Sequence, residues 1–279
     1  MKIILADSAG FCFGVKRATK LAFKAAEENC PICSLGPIIH SPQVVEKLEK
    51  NGVKVVEKVE DIEAGTVIIR SHGITAGELA DIHARNLTTV DATCPFVKKA
   101  QDYAAMLCAE GYAVVLVGEK DHPEVQGIIS YAHHVEVAVV ANSEEAQRLP
   151  NQSKIGIVAQ TTQSFENLRL VTEVCLKKSK EVRVFNTICD ATSVRQDEAR
   201  NIAQQADLVL IVGGFNSANT TRLAQICREL QPRTYHVEIA EQIEAGWFVD
   251  VQTVGITAGA STPRWIIDDV VERVGSFAD

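Results

Sequence analysis

The sequence predicts an α/β fold of three similar small units with mostly parallel sheets. Short apolar runs alternate with amphipathic segments from one end of the chain to the other, the pattern of strands joined by crossover helices. Three cysteines, Cys12, Cys94 and Cys189, each follow such a run and precede a helical segment. The spacing from Cys12 to Cys94 nearly equals that from Cys94 to Cys189, so each reads as the contribution of one of three comparable units to a common centre. The predicted units are 14–94, 95–189 and 190–279, with 1–13 supplying an N-terminal strand and the first cysteine.

The first strand is residues 2 to 6, followed by the Gly-Phe-Cys-Phe-Gly loop and a helix from Val15 to Glu28. Pro31 to Leu35 is a strand, and Ser41-Pro42 opens a helix over Gln43 to Asn51, serine as the cap and proline at the first helical position. Strands Val53 to Val56 and Thr66 to Ile69 follow, then a helix over Ala76 to Arg85 and a strand over Thr88 to Val90 that leads to Cys94. The same grammar then repeats: helix Val97 to Glu110, strand Ala113 to Val117, a helix after Pro123, strand Val135 to Val140, helix Ser143 to Leu149, strand Ile155 to Ala159, helix Phe165 to Lys178 and strand Glu181 to Phe185. The last third runs through helix Val194 to Gln205, strand Leu208 to Val212, helix Thr221 to Leu230, strand Thr234 to Val237, helix Ala240 to Glu244 and strand Thr253 to Ile256, and a final helix opens at Thr262-Pro263.

A chain of 279 residues, 46% hydrophobic and 23% charged, has enough apolar mass for a substantial core. The formal charge of −8 argues against a general nucleic-acid binder, while a small anion still suits a locally positive pocket. No apolar run approaches the roughly 20 residues of a membrane helix. Asp7 interrupts the N-terminal apolar run before a signal-peptide region forms. Eight cysteines are too few for a disulfide scaffold, so a cytoplasmic location is expected, where such residues signal metal or redox chemistry.

In parallel α/β sheets ligands gather outside the carboxyl ends of the strands. His72, His122, Glu124, Thr161, Thr162, Ser217, Asn219 and Ser261 all lie at such ends, and His40 stands just before Ser41-Pro42. Hydroxyls, amides and imidazoles beside glycines and helix N-termini suit an anion such as a diphosphate. Glu124 is the one loop carboxylate nominated as a proton donor, its alternative being a first-turn acid that complements the helix dipole. Gly213-Gly214 lacks the fuller dinucleotide fingerprint.

For Cys12, Cys94 and Cys189, iron and sulfur fit better than zinc, because none has the paired spacing of a structural zinc site; the alternative for each is a small hydrophobe buried in the core. Three thiolates on a four-iron cluster would leave one iron open to a substrate oxygen. Cys108, Cys175 and Cys227 fall within helices among apolar neighbours and are assigned to packing. Cys30-Pro31-Ile32-Cys33 spans a helix end and a strand start, unlike a redox pair opening a helix. His83, His133, His134 and His236 are assigned solvated or packing roles.

The motifs Gly10-Phe11-Cys12-Phe13-Gly14-Val15, Ile39-His40-Ser41, Arg70-Ser71-His72-Gly73, Asp91-Ala92-Thr93-Cys94-Pro95, His122-Pro123-Glu124, Ala159-Gln160-Thr161-Thr162, Asn186-Thr187-Ile188-Cys189, Asn216-Ser217-Ala218-Asn219 and Gly259-Ala260-Ser261-Thr262-Pro263 together resemble the 4-hydroxy-3-methylbut-2-enyl diphosphate reductase family. The resemblance covers nearly the whole chain in order. It implies a pseudo-threefold trefoil of three α/β units around a central 4Fe-4S cluster held by Cys12, Cys94 and Cys189, whose unligated iron binds the substrate's hydroxyl oxygen. It implies the last step of the non-mevalonate isoprenoid pathway: two-electron, two-proton removal of an allylic hydroxyl, yielding isopentenyl and dimethylallyl diphosphates. His40, His72, His122, Ser217, Asn219 and Ser261 would hold the diphosphate. Glu124 would supply protons, with Thr161 or Thr162 completing the relay, and a ferredoxin or flavodoxin would be the typical electron donor.

The chain departs from the family pattern at Ala218, where many members have a second serine, and at Phe215, where a lysine is often found. A neutral hydrogen bond is worth about 0.5 to 1.5 kcal/mol net, so a modest effect on diphosphate binding is expected. Two competing readings are a dicarboxylate-binding dehydratase resembling quinolinate synthase, which predicts arginines in the pocket loops, and a cluster-binding redox sensor, which leaves His122-Pro123-Glu124 unexplained.

Overall fold

The computed structural model describes residues 1–28, 31–132 and 137–277. Its strands are β1 (Lys2–Leu5), β2 (Ile32–Leu35), β3 (Val53–Val56), β4 (Thr66–Ile69), β5 (Thr88–Asp91), β6 (Ala113–Val117), β7 (Ala138–Val140), β8 (Gln152–Ala159), β9 (Ser179–Val184), β10 (Leu208–Val212), β11 (Thr234–Val237) and β12 (Thr253–Ala258). Its helices are α1 (Phe13–Ala25), α2 (Pro42–Lys50), α3 (Ala76–Ala84), α4 (Pro95–Ala109), α5 (Pro123–Tyr131), α6 (Ser143–Gln147), α7 (Phe165–Lys178), α8 (Asp190–Ala203), α9 (Ala218–Leu230) and α10 (Arg264–Gly275).

The strands form three four-stranded sheets, ordered β3-β2-β4-β5, β7-β6-β8-β9 and β11-β10-β12-β1, and every pairing is parallel. The order is the same each time once β1 is read as the fourth strand of the last sheet. Each cysteine of the predicted trio follows a fourth strand: Cys94 after β5, Cys189 after β9 and Cys12 after β1. The near-equal spacing seen in the sequence thus reflects a topological repeat.

The chain divides into two compact units, one of residues 1–16, 40–45 and 190–279, the other of residues 17–39 and 46–189. In the first, successive residues of β10 face opposite sides of the sheet, as the two-residue strand period requires. Leu208, Leu210 and Val212 pack with Ile267 and Val270 of α10, and Val209 and Ile211 pack with Ala199 of α8 and Leu223 of α9. The second unit holds the other two sheets. There Val114 and Leu116 of β6 meet α4 and α5, while Val115 and Val117 meet α6 and α7. Both faces covered is what makes these strands continuous apolar runs.

Several helices begin two to four residues earlier than the hydrophobic pattern predicts: α1 at Phe13, α4 at Pro95, α8 at Asp190 and α9 at Ala218. Periodicity registers only where side chains are buried, and Phe13, Pro95, Phe96 and Asp190 are exposed. The predicted helix over Ala240 to Glu244 is a single 3₁₀ turn, Ala240–Gln242, with another at Ala245–Phe248. Cys30, His133, His134 and the start of the strand predicted from Val135 lie outside the described residues.

Close packing beneath the loops after β10 and β12 depends on glycine. A Cβ on Gly259 would stand 2.0 Å from Thr220 Oγ1, and one on Gly213, at φ +145°, 2.5 Å from Thr262 Oγ1. Gly259→Ala is expected to destabilise the protein by about 1–3 kcal/mol through overpacking, measured as a lower denaturation midpoint.

Candidate active site

A parallel sheet of order b-a-c-d changes winding direction between strands a and c, and the loops after those strands flank the crevice where ligands bind. In this chain those loops carry every polar residue singled out from the sequence. β2 and β4 lead to His40 and His72, β6 and β8 to His122, Glu124, Thr161 and Thr162, and β10 and β12 to Ser217, Asn219 and Ser261.

In the first unit the loop after β1 turns at Gly10, φ +109°, and the Cys12 N–H donates to Ala260 O at 3.1 Å. The Cys12 carbonyl accepts from Lys16 N at 2.9 Å, which makes Cys12 the residue on which α1 begins. Ser217 caps α9, its Oγ accepting from Thr220 N at 3.3 Å. Asn219 is 5% exposed, and neither its Oδ1 nor its Nδ2 has a partner among the described residues. A buried unsatisfied donor or acceptor costs about 1–3 kcal/mol, so this amide is available to a polar ligand. Ser261 Oγ donates to His40 O at 3.1 Å, bringing those two candidates together. Phe215, where the sequence departs from the family, is half-exposed, its ring centroid 4.6 Å from that of His236. His236 is placed by Gly213 O, 2.8 Å from its Nε2, which assigns it a packing role.

In the second unit Cys94 is the N-cap of α4 with Pro95 at the first helical position, and its N–H donates to Ser71 O at 2.9 Å, beside His72. The His72 and His122 rings meet edge to face at 5.6 Å. His122 caps α5, its Nδ1 accepting from Glu124 N at 3.1 Å. That bond makes Nδ1 an acceptor and puts the ring proton on Nε2.

Glu124 is 2% exposed and its carboxylate is turned to Thr161, accepting from the backbone N–H at 2.6 Å and from Oγ1 at 2.9 Å. Burial pushes the carboxyl from its ordinary 4.5 up to about 7. The two bonds from Thr161 pull it back and the charge of Glu119 adds to the rise. Thr161 O in turn accepts from Cys189 N at 3.0 Å, so a carboxyl that titrates near neutrality, a hydroxyl and a candidate ligand form one bonded series. A dipole-complementing acid would face solvent; Glu124 does not. Thr162 is partly buried in the same loop.

Gln160 was not singled out in the sequence. It is fully buried, its Oε1 accepts from Glu119 N at 3.0 Å, and its Nε2 has no partner among the described residues. An amide inside an apolar-to-polar strand end leaves no periodic signal.

The profile of the LytB protein family matches residues 3–275. The chain belongs to the LytB family. A relative from Syntrophotalea carbinolica named 4-hydroxy-3-methylbut-2-enyl diphosphate reductase is 76% identical over 278 residues, covering 100% of both chains. One of the same name from Geobacter sulfurreducens is 62% identical, over 99% of this chain and 98% of its own. Among solved structures, that of (E)-4-hydroxy-3-methyl-but-2-enyl diphosphate reductase, described as the terminal enzyme of the non-mevalonate pathway, shares 46% identity with a TM-score of 0.72 over 99% of each chain. The Plasmodium falciparum reductase structure matches with a TM-score of 0.92 at 26% identity, over 100% of this chain and 88% of that one.

The thiols of this LytB chain fall into two groups by exposure. Cys12, Cys94 and Cys189 are partly exposed, and Cys33, Cys108, Cys175 and Cys227 are buried. Each of the first three immediately precedes a helix. Burial pushes the Cys175 thiol up to about 11 and the Cys227 thiol up to about 12, which leaves them protonated at neutral pH. Among the described residues no three His, Cys, Asp or Glu side chains are grouped to hold a single metal ion. A cluster asks for thiolates on separate irons, a different arrangement.

Proposed function

We propose that this LytB-family chain catalyses reductive dehydroxylation of (E)-4-hydroxy-3-methylbut-2-enyl diphosphate to isopentenyl and dimethylallyl diphosphates, the final step of the non-mevalonate pathway. The observation that carries the reading is Glu124: a buried carboxyl raised to about 7 and bonded through Thr161 to the backbone of a candidate ligand, Cys189. Removal of an allylic hydroxyl as water consumes two electrons and two protons, and a group that titrates near neutrality is suited to deliver them.

Cys12, Cys94 and Cys189 hold a 4Fe-4S cluster in this reading. When bound, the cluster supplies the electrons and a Lewis-acidic iron. His40, His72, His122, Ser217, Asn219 and Ser261 hold the diphosphate; the His122 Nε2–H and the Asn219 amide donate to its oxygens. Glu124, protonated, gives its proton to the leaving hydroxyl, and the Thr161 hydroxyl orients the carboxyl and passes the proton on, with Thr162 beside it. Ala218 places a methyl group where a hydroxyl donor would stand, and the backbone N–H groups at the start of α9 take over part of that contact.

In this reading each of the three sheets defines one unit, 14–94, 95–189 and 190–279, with 1–13 supplying the strand and ligand that complete the last. A cytoplasmic ferredoxin or flavodoxin serves as electron donor. No helix among the described residues is long and apolar enough to cross a membrane. The test is anaerobic incubation of iron-loaded protein with the allylic diphosphate and a reduced artificial donor. Formation of the two five-carbon diphosphates is expected; substrate left unconsumed by fully loaded protein contradicts the proposal.

A further inference from the structure

The loops that carry the candidate ligands are not held only by their own strands. Arg17 lies on α1, the helix that begins directly after Cys12, and its guanidinium donates to Asp91 O and Thr93 O, both at 3.1 Å. Asp91 is the last residue of β5, and Thr93 lies in the loop that leads to Cys94. Arg195 lies on α8, the helix that begins directly after Cys189, and donates to Gly10 O at 2.7 Å and Ala191 O at 2.9 Å. Gly10 belongs to the loop of Cys12. One turn further along α8, the Glu198 carboxylate accepts from Asp7 N at 2.6 Å and Ser8 N at 3.0 Å, gripping the same loop from its other end. In the third case Tyr103, on the α4 helix that follows Cys94, stacks on Phe185 at 4.0 Å, four residues before Cys189. Each helix started at one ligand therefore steadies the chain that leads to another.

The choice of arginine follows from the acceptors. Carbonyls in a loop or at a strand end lack the full ladder of a strand interior, and the planar guanidinium donates to two acceptors at fixed separation, Asp91 O and Thr93 O for Arg17, and Gly10 O with the α8 carbonyl of Ala191 for Arg195, which an ammonium on a flexible stem does not. Arg195 is 5% exposed, far drier than a surface arginine. Three thiolates on distant segments lose conformational freedom when they bind one cluster, and loops already fixed lose less.

We infer that Arg17 and Arg195 are positioning residues for the iron–sulfur cluster, holding the loops of Cys94 and Cys12 in their ligating conformation through helices that begin at other ligands. The inference rests on the cluster reading above. Its test uses anaerobically loaded protein and the variants Arg17→Gln, Arg195→Gln, Arg17→Lys and Arg195→Lys. Iron per chain, the rate at which a ferrous chelator strips the cluster, and the thermal midpoint before and after loading are measured. Outer-sphere partners of metal ligands typically change affinity 10- to 100-fold. The glutamine variants are expected to lose iron at least about ten-fold faster than the parent, with the loaded-minus-unloaded rise in midpoint reduced, and the lysine variants to fall between. Stripping at the parent rate by fully loaded variants overturns the inference, and so does an equal loss of midpoint before and after loading, which is plain loop packing. A glutamine variant that does not fold leaves the decision to its lysine counterpart. A parent that takes up no iron instead overturns the cluster reading itself.

Discussion

Replacing Glu124 by glutamine is expected to lower turnover about 100- to 10,000-fold, the range for loss of a general acid, while substrate binding changes little. The amide keeps the shape of the carboxylate and an oxygen to accept from Thr161 N, so the loop stays in place; what it lacks is a transferable proton. Steady-state kinetics checks this as a loss in kcat with KM nearly unchanged. The same variant carries a second, independent signature. The carboxyl titrates near 7 in the folded chain and has an ordinary value of 4.5, so between those pH values the folded state binds more protons than the unfolded. Folding stability from this group is therefore greatest below about 4.5, falls as pH rises to about 7 and is level beyond. The shift corresponds to about 3 kcal/mol. Glu124→Gln should flatten that segment of the stability-against-pH curve and make the protein more stable than the parent at pH 8. Unchanged turnover would remove Glu124 from the proton path.

Serine in place of Cys12, Cys94 or Cys189 is expected to reduce cluster retention at least ten-fold and abolish activity, while serine at Cys108 leaves iron content at the parent level. The contrast follows from position. The first three stand at helix N-termini with partial exposure, and Cys108 lies in the core between α4 and its sheet, its thiol raised by burial. Iron lost from Cys108→Ser would refute the division.

Much of the candidate site was legible because its residues are anomalies in the sequence pattern. A histidine, hydroxyl or amide just past an apolar strand has no core role to explain it, and such residues recur after strands of all three sheets. The parallel sheets were legible for the complementary reason, since strands such as β10 are apolar on both faces. Helix starts were not, because Phe13, Pro95 and Asp190 face solvent and contribute nothing to periodicity. Arg17 and Arg195 were hidden more deeply. Each sits on a mixed-charge helix where an arginine reads as a solvated charge, and the distant carbonyl is 74 positions away for Arg17 (Asp91 O) and 185 for Arg195 (Gly10 O). The sharing of Glu124 with Thr161 was only half visible, since sequence alone favours a first-turn acid at that position.

The central claim is that the three partly exposed cysteines hold a cluster that the allylic diphosphate meets. The anaerobic absorption spectrum of the purified protein, taken with an iron count before and after adding that diphosphate, tests it most directly. A brown protein with about four irons per chain, whose sulfur-to-iron absorption changes on adding the substrate, is the predicted result. A colourless protein that cannot be reconstituted would contradict it.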